Sequence, residues 1–270
     1  MPYADNDGVS LYYELGGPTD APTVAFICGL GYARWMWDWQ RDALADEYET
    51  LVWDNRGAGD SDAPEGPYTI ETMAADFEAV LDAADREAVH IVGASMGGMI
   101  ALQYALDFDR AESLALLCTS HGGPEAVPTP EETQHRMFNV PDDADEREAI
   151  RWKMAPAVTD EFVEANPDTI ERIVDWRLET DTSEAARMAQ AAGVEGFDVS
   201  DRLDELDLPV LVMHGTADEV LPVENGRLLH EAIPESDLEL FEGAPHLFFI
   251  ERADGVNDRL RSFLSANAGA

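Results

Sequence analysis

Lysine is nearly absent from this sequence: of 17 basic residues sixteen are Arg and only Lys153 is Lys, against 56 acids and a net charge of −39. Such a chain has no basic face with which to displace phosphate counterions, so nucleic-acid binding is excluded as an expected role. Apolar runs are short, and none approaches the ~18–20 residues needed to span a bilayer. Residues 1–10 are polar and carry acids, unlike the apolar core of a secretory leader, so a cytoplasmic location without membrane partners is expected. Cysteine is also scarce, with only Cys28 and Cys118, each inside an apolar run. Buried free Cys behaves as a small hydrophobe. Few Lys with abundant acids is the composition of proteins from salt-accumulating cells. At 1 M salt the Debye length is about 3 Å, so dense like charge costs little. A halophilic origin is therefore expected.

What is present is enough to fold. With 45% hydrophobic residues in 270, the chain can bury a full core, and its length suits one or two domains. Asn6-Asp7-Gly8 between residues 2–5 and 9–15 predicts a hairpin, because Asp-Gly favours the tight turn. Short apolar runs follow at 23–28 (TVAFIC), 50–54, 89–94 (VHIVGA), 113–118, 209–214 and 238–241. Runs of this kind suit parallel strands covered on both faces. Between them the period turns helical, as in Ile70, Met73, Phe77, Val80 or Leu81, and Ala84, and again in Val256, Leu260, Phe263 and Leu264. The alternation predicts an α/β fold with a mainly parallel sheet flanked by helices.

Residues 122–206 break the alternation, with helical patterns and no strand. Thr129-Pro130-Glu131-Glu132 has a capping pattern with Pro at the first helical position. Asn166-Pro167 opens a second helix carrying Ile170, Ile173, Val174 and Trp176. A third opens across 181–184, with Gly193 placed to stop it. Two units are expected: a core of residues 1–121 and 207–270, and a helical cap of residues 122–206.

The strongest chemical signal is Gly93-Ala94-Ser95-Met96-Gly97 with Gly98 behind it, between the 89–94 strand and a helix predicted over 99–108. This strand–turn–helix setting is what a nucleophile elbow requires. A serine hydroxyl needs a base, itself oriented by a carboxylate. His90 lies in a strand, His135 and His230 on helices, and His214 before Gly215 reads as structural. His121 is placed to line a pocket. His246, in Gly243-Ala244-Pro245-His246 after the last strand, reaches the sheet edge where Ser95 emerges and is the expected base. Asp218 follows the 209–214 strand to the same edge. The rival position, Thr119-Ser120-His121, offers no carboxylate. The order Ser95, Asp218, His246 is the one the elbow expects. An oxyanion hole needs two N–H donors. Met96 supplies one and Leu30, in Cys28-Gly29-Leu30-Gly31, the other.

Together these residues resemble the α/β-hydrolase superfamily. Asp54-Asn55-Arg56-Gly57-Ala58-Gly59-Asp60-Ser61 with Ala63-Pro64 looks like its D-x-R-G-x-G-x-S segment. Gly66-Pro67-Tyr68-Thr69-Ile70-Glu71 and the double-Gly elbow look like 3-oxoadipate enol-lactone hydrolases and related carboxylesterases. The resemblance implies an eight-stranded sheet ordered 1-2-4-3-5-6-7-8, with the cap inserted after strand 6, and a core role for Trp37. Tyr32 and Trp35 would approach the site or pack beside it. That order sets strand 5 between Cys28 and Cys118, about 10 Å apart, beyond disulfide reach, so free thiols follow.

The expected activity is cofactor-free cleavage of a small-molecule ester or lactone through an acyl-enzyme. No His/Cys/Asp grouping has metal-ligand spacing in the sequence. Rivals on the same triad are a C–C bond hydrolase and a haloperoxidase or perhydrolase. A hydroxynitrile lyase would need a cationic Lys near the site, and the only Lys falls in the cap segment. From another class, a silent ligand-binding protein of the same fold remains open.

Overall fold

A computed structural model describes residues 2–267; Met1 and residues 268–270 lie outside it. Eight strands form one sheet: β1 (Tyr3–Asn6), β2 (Val9–Gly16), β3 (Thr23–Ile27), β4 (Glu49–Trp53), β5 (Val89–Ala94), β6 (Ala111–Leu117), β7 (Val210–Gly215) and β8 (Ser236–Phe241). Their order is β1-β2-β4-β3-β5-β6-β7-β8. Antiparallel pairing is confined to β1–β2 and β2–β4. The hairpin joining β1 and β2 turns on Asp7 at φ 52° and Gly8 at φ 86°, the two positive values that a type I′ turn needs.

The helices are α1 (Asp38–Leu44), α2 (Ile70–Ala84), α3 (Met96–Asp107), α4 (Glu131–Phe138), α5 (Glu146–Met154), α6 (Asp160–Ala165), α7 (Pro167–Thr180), α8 (Glu184–Glu195), α9 (Glu224–Ala232), α10 (Phe248–Glu251) and α11 (Ala253–Ala266). Side chains alternate faces along a strand, and both faces are covered. Ala25, Ile27, Ile91, Leu114 and Leu116 pack with α2, α3 and α9 in one apolar cluster. Val24, Phe26, Val92, Ala115 and Leu117 pack with α1, α10 and α11 in the other. Helix α2 shows the local logic. Thr69 caps it by accepting from the Thr72 N–H, and Ile70, Met73, Phe77, Val80, Leu81 and Ala84 are buried. Each large apolar side chain so buried contributes about 1.5–3 kcal/mol. Asp85, left-handed at φ 56°, ends the helix. No described helix is long and apolar enough to cross a membrane.

Between β6 and β7 lie α4 to α8, and the only strand-like contact described there is the bridge Gly122–Asp198. Two local expectations need correction. Helix α4 begins at Glu131, and Pro130, with ψ 141°, takes the cap position one residue before the first helical turn. Gly193 does not end α8, which runs on to Glu195. A Cβ there would lie 1.9 Å from the Tyr68 carbonyl oxygen, so this glycine lets the helix meet the core loop. The D-x-R-G-x-G-x-S segment is a structural knot. Buried Asp54 accepts from the Arg34 and Asp60 N–H groups, Ser61 Oγ donates to the Asp54 carbonyl, and Arg56 pairs with buried Asp76 at 2.5 Å. Cys28 and Cys118 are buried free thiols, following β3 and β6 with β5 between them.

Candidate active site

Ser95 sits between β5 and α3 at φ 56°, ψ −122°, a conformation that costs a non-glycine residue about 1–3 kcal/mol. Its own backbone is held by two bonds. The N–H donates to the Leu117 carbonyl at 2.9 Å, and Thr119 Oγ1 donates to its carbonyl at 2.7 Å. The turn is tight enough that a Cβ on Gly97 would lie 2.1 Å from the Ile27 carbonyl oxygen.

Asp218 follows β7 and is buried, accepting from three N–H donors. Oδ1 takes the Val220 and Leu221 backbone N–H at 2.8 and 2.9 Å. Oδ2 takes His246 Nδ1 at 2.7 Å, and His214 Nε2, bonded to the Leu221 carbonyl at 2.8 Å, lies 3.2 Å from the same oxygen. Burial opposes ionisation, yet His246 and His214 together bring this carboxyl down to about 2. Conversely, burial would lower the His246 imidazole, but the Asp218 carboxylate outweighs it and holds it well above the ordinary 6.5. His214 thus ties the turn after Asp218 to β7 through the Leu221 carbonyl and stands close beside the oxygen that orients His246.

Cys118 is the neighbour that sequence reading missed. Its Sγ, an Asp218 oxygen and a His246 nitrogen lie within 4.8 Å of one another. In this geometry the imidazole touches Cys118, and no described hydrogen bond joins it to Ser95 Oγ. Catalytic hydrogen bonds are commonly long until substrate arrives. The three ligand-type atoms read as a hydrogen-bond network and not as a metal site, because the Asp218 lone pairs are already taken by N–H donors. Burial pushes the Cys118 thiol up, keeping it neutral beside Ser95.

Ser95 and His246 line one cavity of about 60 Å³ with Leu30, Tyr32, Met36, Cys118, Met137, Lys153 and Phe249 among others. Ser95 and Leu30 also open onto a groove of about 520 Å³ whose walls include Met96, Met99, Met137, Phe138 and Met188. The Leu30 and Met96 N–H groups donate to no described protein acceptor, whereas the next one along the turn, Gly31 N–H, donates to Gln190 Oε1 at 2.9 Å. His121 is buried against the Gly122 carbonyl, outside the residues lining this cavity. Trp37 is fully buried in the core, and Trp35 bonds Thr180 Oγ1 and stacks on Trp176. Lys153 differs most from expectation. Its place in the cap segment predicts a position away from the site, but α5 brings Lys153 into the same cavity as Ser95.

Gln190 of α8 is fully buried and ties two core loops together, accepting from Gly31 N–H and donating to the Arg56 carbonyl at 2.9 Å. Gln190→Ala leaves both backbone groups unpaired, at about 1–3 kcal/mol each. A Tm lower by roughly 5–15 °C is expected, with kcat falling as the Leu30 turn loosens. A shift under about 2 °C in a thermal melt would show that the two loops do not depend on this side chain.

An open elbow serine beside a His–Asp pair, at the C-terminal edge of a doubly covered sheet, is the frame of a hydrolase. The chain belongs to the alpha/beta hydrolase fold family, whose sequence profile matches residues 22–253. Among curated relatives, 3-oxoadipate enol-lactonase 2 of Acinetobacter baylyi is 29% identical, over 95% of this chain and 93% of its own. A putative carbamate hydrolase of Azorhizobium caulinodans is 28% identical, over 97% of this chain and 98% of its own. Among solved structures, the enol-lactonase from Burkholderia xenovorans superposes with a TM-score of 0.85 at 29% identity, covering 98% of this chain and 100% of that one.

Proposed function

We propose that this protein is a serine hydrolase of carboxylic esters or lactones, working without a cofactor. The observation that carries the reading is the 2.7 Å bond from Asp218 to His246, which lines one cavity with the elbow serine. Ser95 Oγ attacks the carbonyl carbon while His246 takes its proton. Asp218 holds the imidazole by Nδ1 and stabilises its charged form. The Leu30 and Met96 N–H groups receive the oxyanion. Collapse expels the alkoxide, which His246 protonates. Water, deprotonated by the same imidazole, then attacks the acyl-enzyme and frees Ser95. The curated enol-lactonase and the Burkholderia structure support an ester or lactone as the substrate. Residues 122–206 act as the cap over the core of residues 1–121 and 207–270, and substrate choice resides there. The decisive experiment is labelling with an organophosphonate followed by peptide mass mapping. A single adduct on Ser95 is expected, and an adduct elsewhere or none would remove the assignment.

The raised His246 gives this reading a pH signature. Below its pKa the imidazole is protonated and cannot accept the serine proton. So kcat/KM should fall as pH drops through a value above 6.5, the ordinary imidazole position. Asp218→Asn removes the charge that raises it, and the acid limb should move down. A limb at or below 6.5 in the parent enzyme would contradict this account of the site's electrostatics.

A further inference from the structure

The only lysine lines the same cavity as the reacting serine, although the acids outnumber the bases 56 to 17. No described carboxylate lies within salt-bridge distance of it; Asp181 and Glu184 act only from farther away. Beside it stand Arg177, whose charge Asp181 takes up at 2.8 Å, and Arg187, 4.0 Å from the same acid. Burial and these two guanidiniums lower the Lys153 ammonium below the ordinary lysine range. Asp and Glu are absent from the residues lining the 60 Å³ cavity. Thus a patch of positive potential, under-compensated by acid, sits where the bulk of the molecule is strongly negative. Holding an unpaired cation in a partly buried site is costly unless a ligand completes the pair. A negative substrate would also need such a patch to enter, because the net charge repels it.

The two spaces that meet at Ser95 differ in kind. A water needs about 10–15 Å³ on this measure, so a 60 Å³ cavity accepts a group of only about four to six heavy atoms. The groove of about 520 Å³, lined by Met96, Met99, Met137 and Met188, suits a large apolar group of variable shape.

We propose that Lys153 binds a carboxylate of the substrate, and that the substrate is an amphiphilic ester or lactone with a short anionic part in the small cavity and a bulky apolar part in the groove. The inference rests on the serine-hydrolase reading and narrows it to a chemical class. The test compares isosteric pairs on the intact enzyme. In one pair, an aryl hemisuccinate is set against the aryl 4-methylpentanoate. In the other the carboxylate is moved to the alcohol side, as carboxymethyl against isobutyl ester of one short acid. The charged member is expected to have the higher kcat/KM, by tenfold or more, in at least one pair. Lys153→Met should reduce that ratio by roughly 10–100-fold, the usual weight of a charged hydrogen bond, chiefly through KM. Lys153→Arg should retain most of it. The ratio is read within each variant, so a partly destabilised protein still reports. Parity or a neutral preference in both pairs would overturn the proposal, as would a ratio that survives Lys153→Met. Organophosphonate labelling of Ser95 reports separately on the hydrolase reading, so failure of the one is distinguishable from failure of the other.

Discussion

Ser95→Ala and His246→Ala are each expected to lower kcat by roughly 10⁴–10⁶, and the double variant to be little worse than either, because the members of such a unit act together. Asp218→Asn should cost less, about 10³–10⁴, by presenting the wrong imidazole tautomer to the serine. The described geometry adds a further contrast. His214 Nε2 bonds the Leu221 carbonyl at 2.8 Å and lies 3.2 Å from Asp218 Oδ2, so His214→Ala should loosen the turn that holds the carboxylate and leave it less firmly aimed. A loss of about tenfold is expected, within the range that a misaligned base costs. The measurement is burst and steady-state kinetics on one aryl ester, with near-UV circular dichroism on each variant to show an intact fold. Turnover at the parental rate in folded Ser95→Ala would sink the nucleophile assignment.

The second large effect is on folding. Dilution from molar salt to 0.05 M KCl should lower the Tm by roughly 10–20 °C or abolish the folded state. The net charge of −39 is crowded onto one compact unit with 11709 Å² of accessible surface. At 0.01 M salt the Debye length is about 30 Å, so nearly every pair of like charges interacts; above 1 M it is about 3 Å. Total stability is usually only about 5–15 kcal/mol, and a small repulsion per charge, summed, exceeds it. Surface pairs such as Arg147 with Glu171 and Asp175 weaken in salt, but exposed pairs contribute only about 0–1 kcal/mol each, so relief of repulsion wins. Salt also strengthens apolar burial. The causes separate by titration: screening saturates once the Debye length is short, while the burial effect keeps rising and is larger for sulfate than for chloride. A melt that is flat from 0.05 to 4 M KCl would refute the electrostatic account.

The sheet and its elbow were legible in the sequence because their signals are local. The strands at 89–94 and 209–214 are continuous apolar runs, and Gly-x-Ser-x-Gly needs no distant residue to state its geometry. The pairing of Asp218 with His246 was legible from position at one sheet edge. The closeness of His214 to that carboxylate was not, because His214 looks the same whether it only packs or also braces the Leu221 turn. Gly193 was misread for a similar reason. A glycine that ends a helix and one that admits a carbonyl to its side are identical on paper, and only the approach of Tyr68 decides. Lys153 and Gln190 depend on how α5 and α8 fold back onto the core, and Cys118 on which loops gather at the end of β6, which no periodicity encodes.

The hydrogen bonds of Gln190 also bear on how the site fills and empties. Helix α8 presents this side chain to the Gly31 and Arg56 loops while Met188, Ala191 and Ala192 face the groove. One wall of the groove is therefore anchored to the sheet beneath it. The facing wall, from Gln134 to Phe138, makes its side-chain bonds within α4 and its neighbours, to the Thr129 and Trp152 carbonyls. A bulky guest would therefore meet less resistance from α4 than from α8.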